Sequence, residues 1–254
     1  MRLATWNVNS IRARAGRLAA WLDAAGPDVV LLQETKVEDA GFPHDLFASR
    51  GYQVAIHGQK SYNGVAIAAR GAIADVTTGL GEAALDEQAR LIAGTVDGVR
   101  VASVYVPNGQ AVGTDKYQYK LAWLAGLRRW LDRHDRGQPL VIGGDWNIAP
   151  DDRDVYDPTK WAGEVLCSEP ERAALREVLA WGLTDVWRAQ HPDARGFSWW
   201  DYRGANFFKD QGLRIDHFLA DATVAARVTA CAIDRDARKG HDASDHAPVI
   251  ATVG

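Results

Sequence analysis

The sequence predicts an α/β protein built from two packed β-sheets with helices outside them. Three observations predict it. Apolar runs of strand length recur along the 254 residues, and several are joined as hairpins. Helical spacing appears in only a few segments, which suits this layout better than a doubly wound parallel sheet. No repeat, low-complexity tract or linker rich in Pro, Gly or Ser divides the chain, so residues 1–254 read as one domain.

Leu3 to Val8 reads as a strand. Ser10 is placed to cap a helix whose apolar face is Ile11, Ala15, Leu18, Leu22 and Ala25, and Gly26-Pro27 ends it. Asp28 to Leu32 reads as an apolar run typical of a buried strand, and it delivers Glu34 to its end. Pro43 opens a short helix that Gly51 closes. Tyr52 to His57 and Gly64 to Ala69 read as strands. Leu91 to Val96 and Val99 to Val106 flank Asp97-Gly98, a strong hairpin signal. Tyr117 to Leu131 is helical, with Leu121, Leu124, Leu127 and Leu131 on one face.

Leu140-Val141-Ile142 is another buried strand, ending at Asp145. Ser168 and Glu171 fit a capping box at the head of a helix that runs to Trp181. Phe197 to Trp200, Ile215 to Leu219, Val228 to Ile233 and Pro248 to Val253 read as further strands.

Composition excludes some functions. The values of 47% hydrophobic and 24% charged are ordinary globular ones. A net charge of -4 argues against a nonspecific nucleic-acid coat protein. It is compatible with a DNA enzyme, because an acidic site lowers the count and a bound metal restores positive potential locally. Cys167 and Cys231 lie in no CxxC motif, so they read as packing residues in a reducing compartment rather than as zinc ligands or a disulfide. No apolar run is long enough to span a bilayer and no charged leader precedes the first strand, so the reading is cytoplasmic. Most of the ten tryptophans are expected in the core.

Six polar motifs stand where apolar strands give way to loops: Thr5 to Asn9, Gln33 to Lys36, Val104 to Gly109, Gly144 to Asn147, Leu213 to His217 and Ser244 to Pro248. A lone Glu at a strand end is more often a solvated charge, but Glu34 also suits a Mg²⁺ ligand. Gly143 and Gly144 are expected to let the backbone turn tightly. Asp145 and Asn147 alternate by two. They form either an Asx-turn or a pair in which Asp145 deprotonates a water and Asn147 donates to a phosphate oxygen. Ser244-Asp245-His246 is the sharpest feature, since the isolated Asp216 upstream can hold and orient the imidazole. His217 and His241 compete for that role.

With these motifs in this order, the chain resembles the exonuclease III family within the endonuclease/exonuclease/phosphatase superfamily. Phe197 to Arg203 and Gly212 to Asp216 complete the set, and the likeness runs essentially end to end. The resemblance implies a DNase I-like, four-layered α/β sandwich of two packed mixed β-sheets flanked by helices, with the site at one end. It implies that Glu34 binds Mg²⁺, with Mn²⁺ able to substitute, and that Asn7 and Asp245 lie beside the metal. Asp145 acts as general base or acid with Asn147 placing it, His246 paired with Asp216 faces the scissile phosphate, and Tyr105 bonds to the phosphate or leaving group. Whether Asp145 or His246 activates the water stays open.

The implied substrate is double-stranded DNA, abasic or 3′-terminal, met by a monomer. Trp199, Leu213 and Ile215 match positions that wall a pocket for a flipped abasic sugar or terminal nucleotide. Arg12, Arg14, Lys36, Lys60, Lys116, Lys120, Arg203 and Lys209 are candidate backbone contacts. Trp200 alternates with Trp199 and is expected to point into packing. The chain departs from the family between Asp151 and Cys167, beside the DNA, which bears on substrate more than on chemistry. Two rivals are a same-fold phosphodiesterase of phosphoinositides or sphingomyelin, and a DNA-binding module without catalysis. The second would normally lack one of Glu34, Asp145, Asp216 or His246, and all are present.

Overall fold

Leu3 and Ala4 point to opposite faces of one strand and end in different cores, and this is how the chain builds four layers. The computed structural model describes residues 1–254. Its strands are β1 (Arg2–Asn7), β2 (Val29–Gln33), β3 (Gln53–His57), β4 (Val65–Ala69), β5 (Ala74–Thr78), β6 (Leu91–Val96), β7 (Val99–Tyr105), β8 (Leu140–Asp145), β9 (Thr184–Asp185), β10 (Asp216–Ala220), β11 (Val228–Ile233) and β12 (Val249–Val253). Its α-helices are α1 (Ala15–Ala25), α2 (His44–Ala48), α3 (Asp115–Asp132), α4 (Pro158–Trp161), α5 (Glu169–Leu179), α6 (Val186–Gln190) and α7 (Ala222–Ala225).

The first sheet has the order β11-β12-β1-β2-β4-β3 and the second β5-β6-β7-β8-β10-β9. In each sheet one pair is parallel, β1 with β2 and β7 with β8. The other neighbours run antiparallel. Asn7 lies opposite Gln33 and Tyr105 opposite Asp145, so both parallel pairs finish at the same edge. β10 and β12 start there, because each runs against its parallel-pair neighbour.

The inner faces meet through Leu3, Leu31, Ile67, Val101, Phe218 and Val249. Trp6, Val30 and Leu32 on the outer face of the first sheet pack on Leu18, Trp21 and Leu22 of α1. Val104 and Ile142 on the outer face of the second pack on Trp123, Leu127 and Leu131 of α3 and Leu175 of α5. Seven of the ten tryptophans are buried, at positions 6, 21, 123, 146, 181, 187 and 200. No helix is long and apolar enough to cross a membrane.

Most local signals read in the sequence are present. Asp97 and Gly98 both have positive φ, 49° and 80°, as a tight hairpin requires. Ser168 and Glu171 form the capping box of α5, and Gly26 closes α1 in the left-handed region. Four local readings need correction. Ser10 caps no α-helix: it sits at φ 84°, its N–H bonds to the Glu34 carbonyl at 2.8 Å, and α1 starts only at Ala15. The chain there wraps round the end of β2 before turning helical. Phe197 to Trp200 forms single bridges rather than a strand, because Trp199 pairs with Leu213 on one side and His246 on the other. Gly143 and Gly144 lie inside β8 and make no turn. A Cβ on Gly143 would come 2.5 Å from the Phe218 ring and 2.8 Å from Leu31, so close sheet packing requires the glycine. Finally, β5 has no counterpart in the sequence reading, since all five of its residues are exposed.

Candidate active site

Strand ends set the positions of the polar groups. Asn7 closes β1, and its Nδ2 donates to Glu34 Oε1 at 2.8 Å and to Asp145 Oδ2 at 2.9 Å. One amide therefore joins the ends of β1, β2 and β8. Glu34 has φ 50° and Asn147 φ 51°, in the left-handed region that side chains seldom occupy. Tight local bonding holds them there. Asn147 N donates to Asp145 Oδ1 at 2.9 Å, and its Nδ2 donates to the Val106 carbonyl at 3.0 Å and Asp145 Oδ2 at 3.2 Å. With both amide hydrogens engaged, Asn147 places Asp145.

His246 and Asp216 meet as expected, with His246 Nδ1 2.9 Å from Asp216 Oδ2. Ser198 Oγ donates to the same Oδ2 at 2.6 Å and accepts from the backbone N–H of Asp216 at 3.0 Å. His246 Nε2 faces Asp145 Oδ2 at 3.7 Å. Burial raises the Asp145 carboxyl, and the nearby Asp216 and Glu34 carboxylates add to it against the pull of His246, giving about 7. Burial opposes a charge on His246, but Asp216 and Asp145 outweigh it and push the imidazole up to about 10. The phenol of Tyr105 is driven well above its ordinary value by burial and by Glu34 and Asp145, with Arg90 acting the other way. Tyr105 is therefore a neutral donor at physiological pH, with the Arg90 guanidinium 4.8 Å from its ring centre.

Glu34, Asp145 and His246 present ligand atoms within 4.8 Å of one another. Asp245 stands outside that group: Asn9 Nδ2 donates to its Oδ1 at 2.9 Å and Trp199 Nε1 to its Oδ2 at 3.1 Å. His217 takes no part. It is fully buried, between the Ile148 carbonyl at 2.9 Å and Arg214 Nη1 at 2.8 Å. Burial and Arg214 lower its proton affinity, so Nε2 donates and Nδ1 accepts. His241 is exposed on a loop.

Trp199, Leu213 and Ile215 come together in one apolar cluster, under Val155, Leu166 and Cys167. Trp199 is half-buried, whereas Leu213 and Ile215 are 0% and 1% exposed. Trp200 points the other way, into packing against Phe207. Among the candidate DNA contacts, Lys36 lies 2.7 Å from Glu34, Arg12 bonds to the Gly41 carbonyl at 3.0 Å and Arg14 to the Tyr202 hydroxyl at 2.8 Å. Arg203 pairs with Asp201 and is otherwise free, and Lys60, Lys116 and Lys209 are exposed. Lys120 was misassigned. It is buried completely against Glu171 and two carbonyls, out of reach of any backbone phosphate. Asn9 and Ser198 lie within motifs read in the sequence but take their roles only from the partners they contact, and Arg90, which stacks on Tyr105, falls outside every motif. Both cysteines are buried free thiols, pushed up to about 12 by burial.

Residues 4–246 match the Endonuclease/Exonuclease/phosphatase family. Exodeoxyribonuclease III of Haemophilus influenzae is 34% identical over 264 residues, with 99% of each chain covered. Two solved structures each cover 100% of this chain and 99% of their own, with TM-scores of 0.96. One is the 3′ phosphatase NExo from Neisseria bound to product DNA hairpin, 41% identical. The other is an AP endonuclease from Archaeoglobus fulgidus, 37% identical.

Proposed function

The chain belongs to the Endonuclease/Exonuclease/phosphatase family, and on that premise we propose that it is a Mg²⁺-dependent DNA-repair phosphodiesterase acting on duplex DNA. It incises beside abasic sites and processes 3′ ends as a 3′→5′ exonuclease and 3′-phosphatase. The observation that carries this reading is the convergence of Glu34, Asp145 and His246, with Asp216 behind the imidazole and Trp199 beside it.

The residues fit a hard divalent cation. Three carboxylates crowd one buried end, and Asp216 and Glu34 add to burial in raising the proton affinity of Asp145, an excess of negative charge that a cation would offset. Glu34 would hold the cation, with Asn7 and Asp245 near it. When bound, it supplies charge stabilisation at the phosphate oxygens. The other tasks fall to the chain. Asp145, held by Asn7 and Asn147, takes the proton of the attacking water, and a carboxyl poised near neutrality suits that work. His246 is kept protonated by Asp216 and faces the phosphate as donor and positive charge, which favours Asp145 over His246 as the base. Tyr105 donates to the phosphate or leaving oxygen. Trp199 stacks at the flipped sugar or terminal nucleotide, and Arg12, Lys36 and Arg203 contact phosphates. The protein acts as a cytoplasmic monomer of one domain, a setting that suits its two free thiols.

A narrower reading keeps 3′-end processing and loses abasic incision. It is favoured by the burial of Leu213 and Ile215 beneath the 155–167 segment, because an internal flip must pass with DNA on both sides. One experiment tests both readings. Two labelled duplexes, one with an internal tetrahydrofuran and one with a recessed 3′ end, are assayed with Mg²⁺ and with EDTA. The full reading expects metal-dependent cleavage of both, and Trp199→Ala should hurt incision more. Digestion of the recessed end alone selects the narrower reading, and cleavage of neither overturns both.

A further inference from the structure

Lys120 lies on α3 with no side-chain exposure. Its ammonium donates to the Asn147 carbonyl at 2.6 Å, the Asn108 carbonyl at 3.1 Å and the Glu171 carboxylate. All three hydrogens are thus engaged. The two carbonyls belong to the loops that follow β8 and β7, the strands that deliver Asp145 and Tyr105. Asn108 Nδ2 also donates to Asn147 Oδ1 at 3.0 Å, closing the loops on each other. Since Asn147 bonds twice to Asp145, Lys120 is one residue removed from that carboxylate.

Glu171 holds a third loop. It accepts from the N–H of Leu166 at 3.0 Å and of Ser168 at 3.1 Å. Leu166 and Cys167 pack in the same cluster as Leu213, Ile215 and Trp199. Asn147 and Leu166 share an unusual property: both carry side chains in the left-handed region, at φ 51° and 76°. Such conformations persist only where surrounding bonds impose them. Lys120 adds to the bonds that hold the first through the Asn147 carbonyl, and Glu171 holds the second through the Leu166 N–H.

On the reading given above, we propose that the Lys120–Glu171 pair is a positioning device that sets the catalytic loops and the substrate-side loop together. The Lys120 arm governs turnover through Asn147 and Asp145. The Glu171 arm governs discrimination between internal abasic sugars and 3′ ends through Leu166. A pair serving stability alone would lower the melting temperature when replaced, since its four backbone partners lose their bonds, but would leave kcat of the folded enzyme unchanged.

That difference supplies the test. The double variant Lys120→Met/Glu171→Leu, and Glu171→Gln alone, are compared with wild type on the tetrahydrofuran and recessed-end duplexes, with thermal melting alongside. The double variant should melt below wild type, because it leaves the Leu166 and Ser168 N–H groups without their acceptor, yet its folded enzyme should also lose at least about tenfold in kcat with little change in KM, as misplaced catalytic groups do. Glu171→Gln should lower abasic incision relative to 3′-end digestion by roughly threefold or more, and speed hydrogen exchange at the Leu166 N–H. A double variant that is folded and fully active overturns the proposal, as does a Glu171→Gln enzyme with an unchanged activity ratio. If the double variant does not fold, Lys120→Gln takes its place, and an unaltered kcat there overturns it equally. Wild-type cleavage of neither duplex would instead remove the functional reading, and the Leu166 exchange rate would still report whether Glu171 holds the loop.

Discussion

The two sheets share a plan and differ in what they present. Each has a parallel pair in its middle flanked by an antiparallel strand, so β1, β2 and β12 of the first correspond to β8, β7 and β10 of the second. At the common edge the first sheet offers Asn7, Glu34 and His246. The second offers Asp145, Tyr105 and Asp216 from the matching places. Corresponding residues meet across the gap: Asn7 bonds to Asp145 and His246 to Asp216, while Glu34 raises the phenol of Tyr105. The difference lies in exposure. The Glu34 side chain keeps 16% of its surface in reach of solvent, whereas Asp145 and Asp216 are each 1% exposed. The first sheet thus presents the charge that a cation can reach, and the second supplies buried carboxylates that set proton affinities.

The largest effects are expected at Asp145 on the second sheet and at His246, which faces it from the first. Asp145→Asn keeps shape and removes the proton acceptor, so turnover should fall by roughly 10²-fold or more while DNA binding survives. His246→Ala should be comparably damaging and Asp216→Asn less so, since Asp216 works through the imidazole. Single-turnover kinetics would break the comparison if Asp145→Asn stayed near wild type.

Glu34→Gln tests the first sheet. It should raise the Mg²⁺ concentration needed for half-maximal activity by at least about tenfold, the loss typical even of groups one step removed from a metal. Full activity of that variant at low Mg²⁺ would take Glu34 out of the site.

A smaller effect links both sheets to pH. Asp145 titrates near 4 when unfolded and is raised to about 7 here, so its ionisation costs stability as pH rises through that interval. His246, raised to about 10, contributes stability that is complete below about 6.5 and is lost as pH climbs to 10. Both make the metal-free protein weaken with rising pH. Melting in EDTA should show a falling Tm from pH 5 to 9, and the gain in Tm on adding Mg²⁺ should grow over the same range. A gain independent of pH would mean that the cation does not offset the Asp145 charge.

The smallest expected effect is at Tyr105. Replacing it with Phe removes one neutral donor, about 0.5–1.5 kcal/mol, and should slow turnover roughly three- to tenfold at unchanged metal dependence. A change in metal dependence instead would place Tyr105 on the cation side of the comparison.

Much of this arrangement was legible because the signals were local. Asp97-Gly98 marked a hairpin, Ser168 and Glu171 marked a helix start, and Asn7, Glu34, Asp145 and His246 each followed or preceded an apolar strand. What stayed hidden depends on distant partners. β5 is exposed throughout and carries no alternation to detect. Ser10 has the chemistry of a cap but is held by the end of β2. Lys120 looks like any surface lysine until Glu171, 51 residues away, is seen to bury it. Phe197 to Trp200 has the composition of a strand, yet its neighbours at Leu213 and His246 leave it only single bridges.

One further consequence concerns the time needed to assemble the site. Trp6 and His246 are 240 residues apart, joined by the bond from the indole N–H to the His246 carbonyl at 3.1 Å. Ser244 likewise donates to the Asn7 carbonyl at 2.6 Å, and β1 lies directly against β12. The hairpin at Asp97-Gly98 can close within microseconds, but a contact spanning nearly the whole chain carries the highest loop-closure entropy the molecule must overcome. The second sheet can therefore form its Tyr105 and Asp145 edge early, while His246 reaches Asp216 only after the remote halves of the first sheet have found each other. In refolding, recovery of core fluorescence should precede recovery of cleavage.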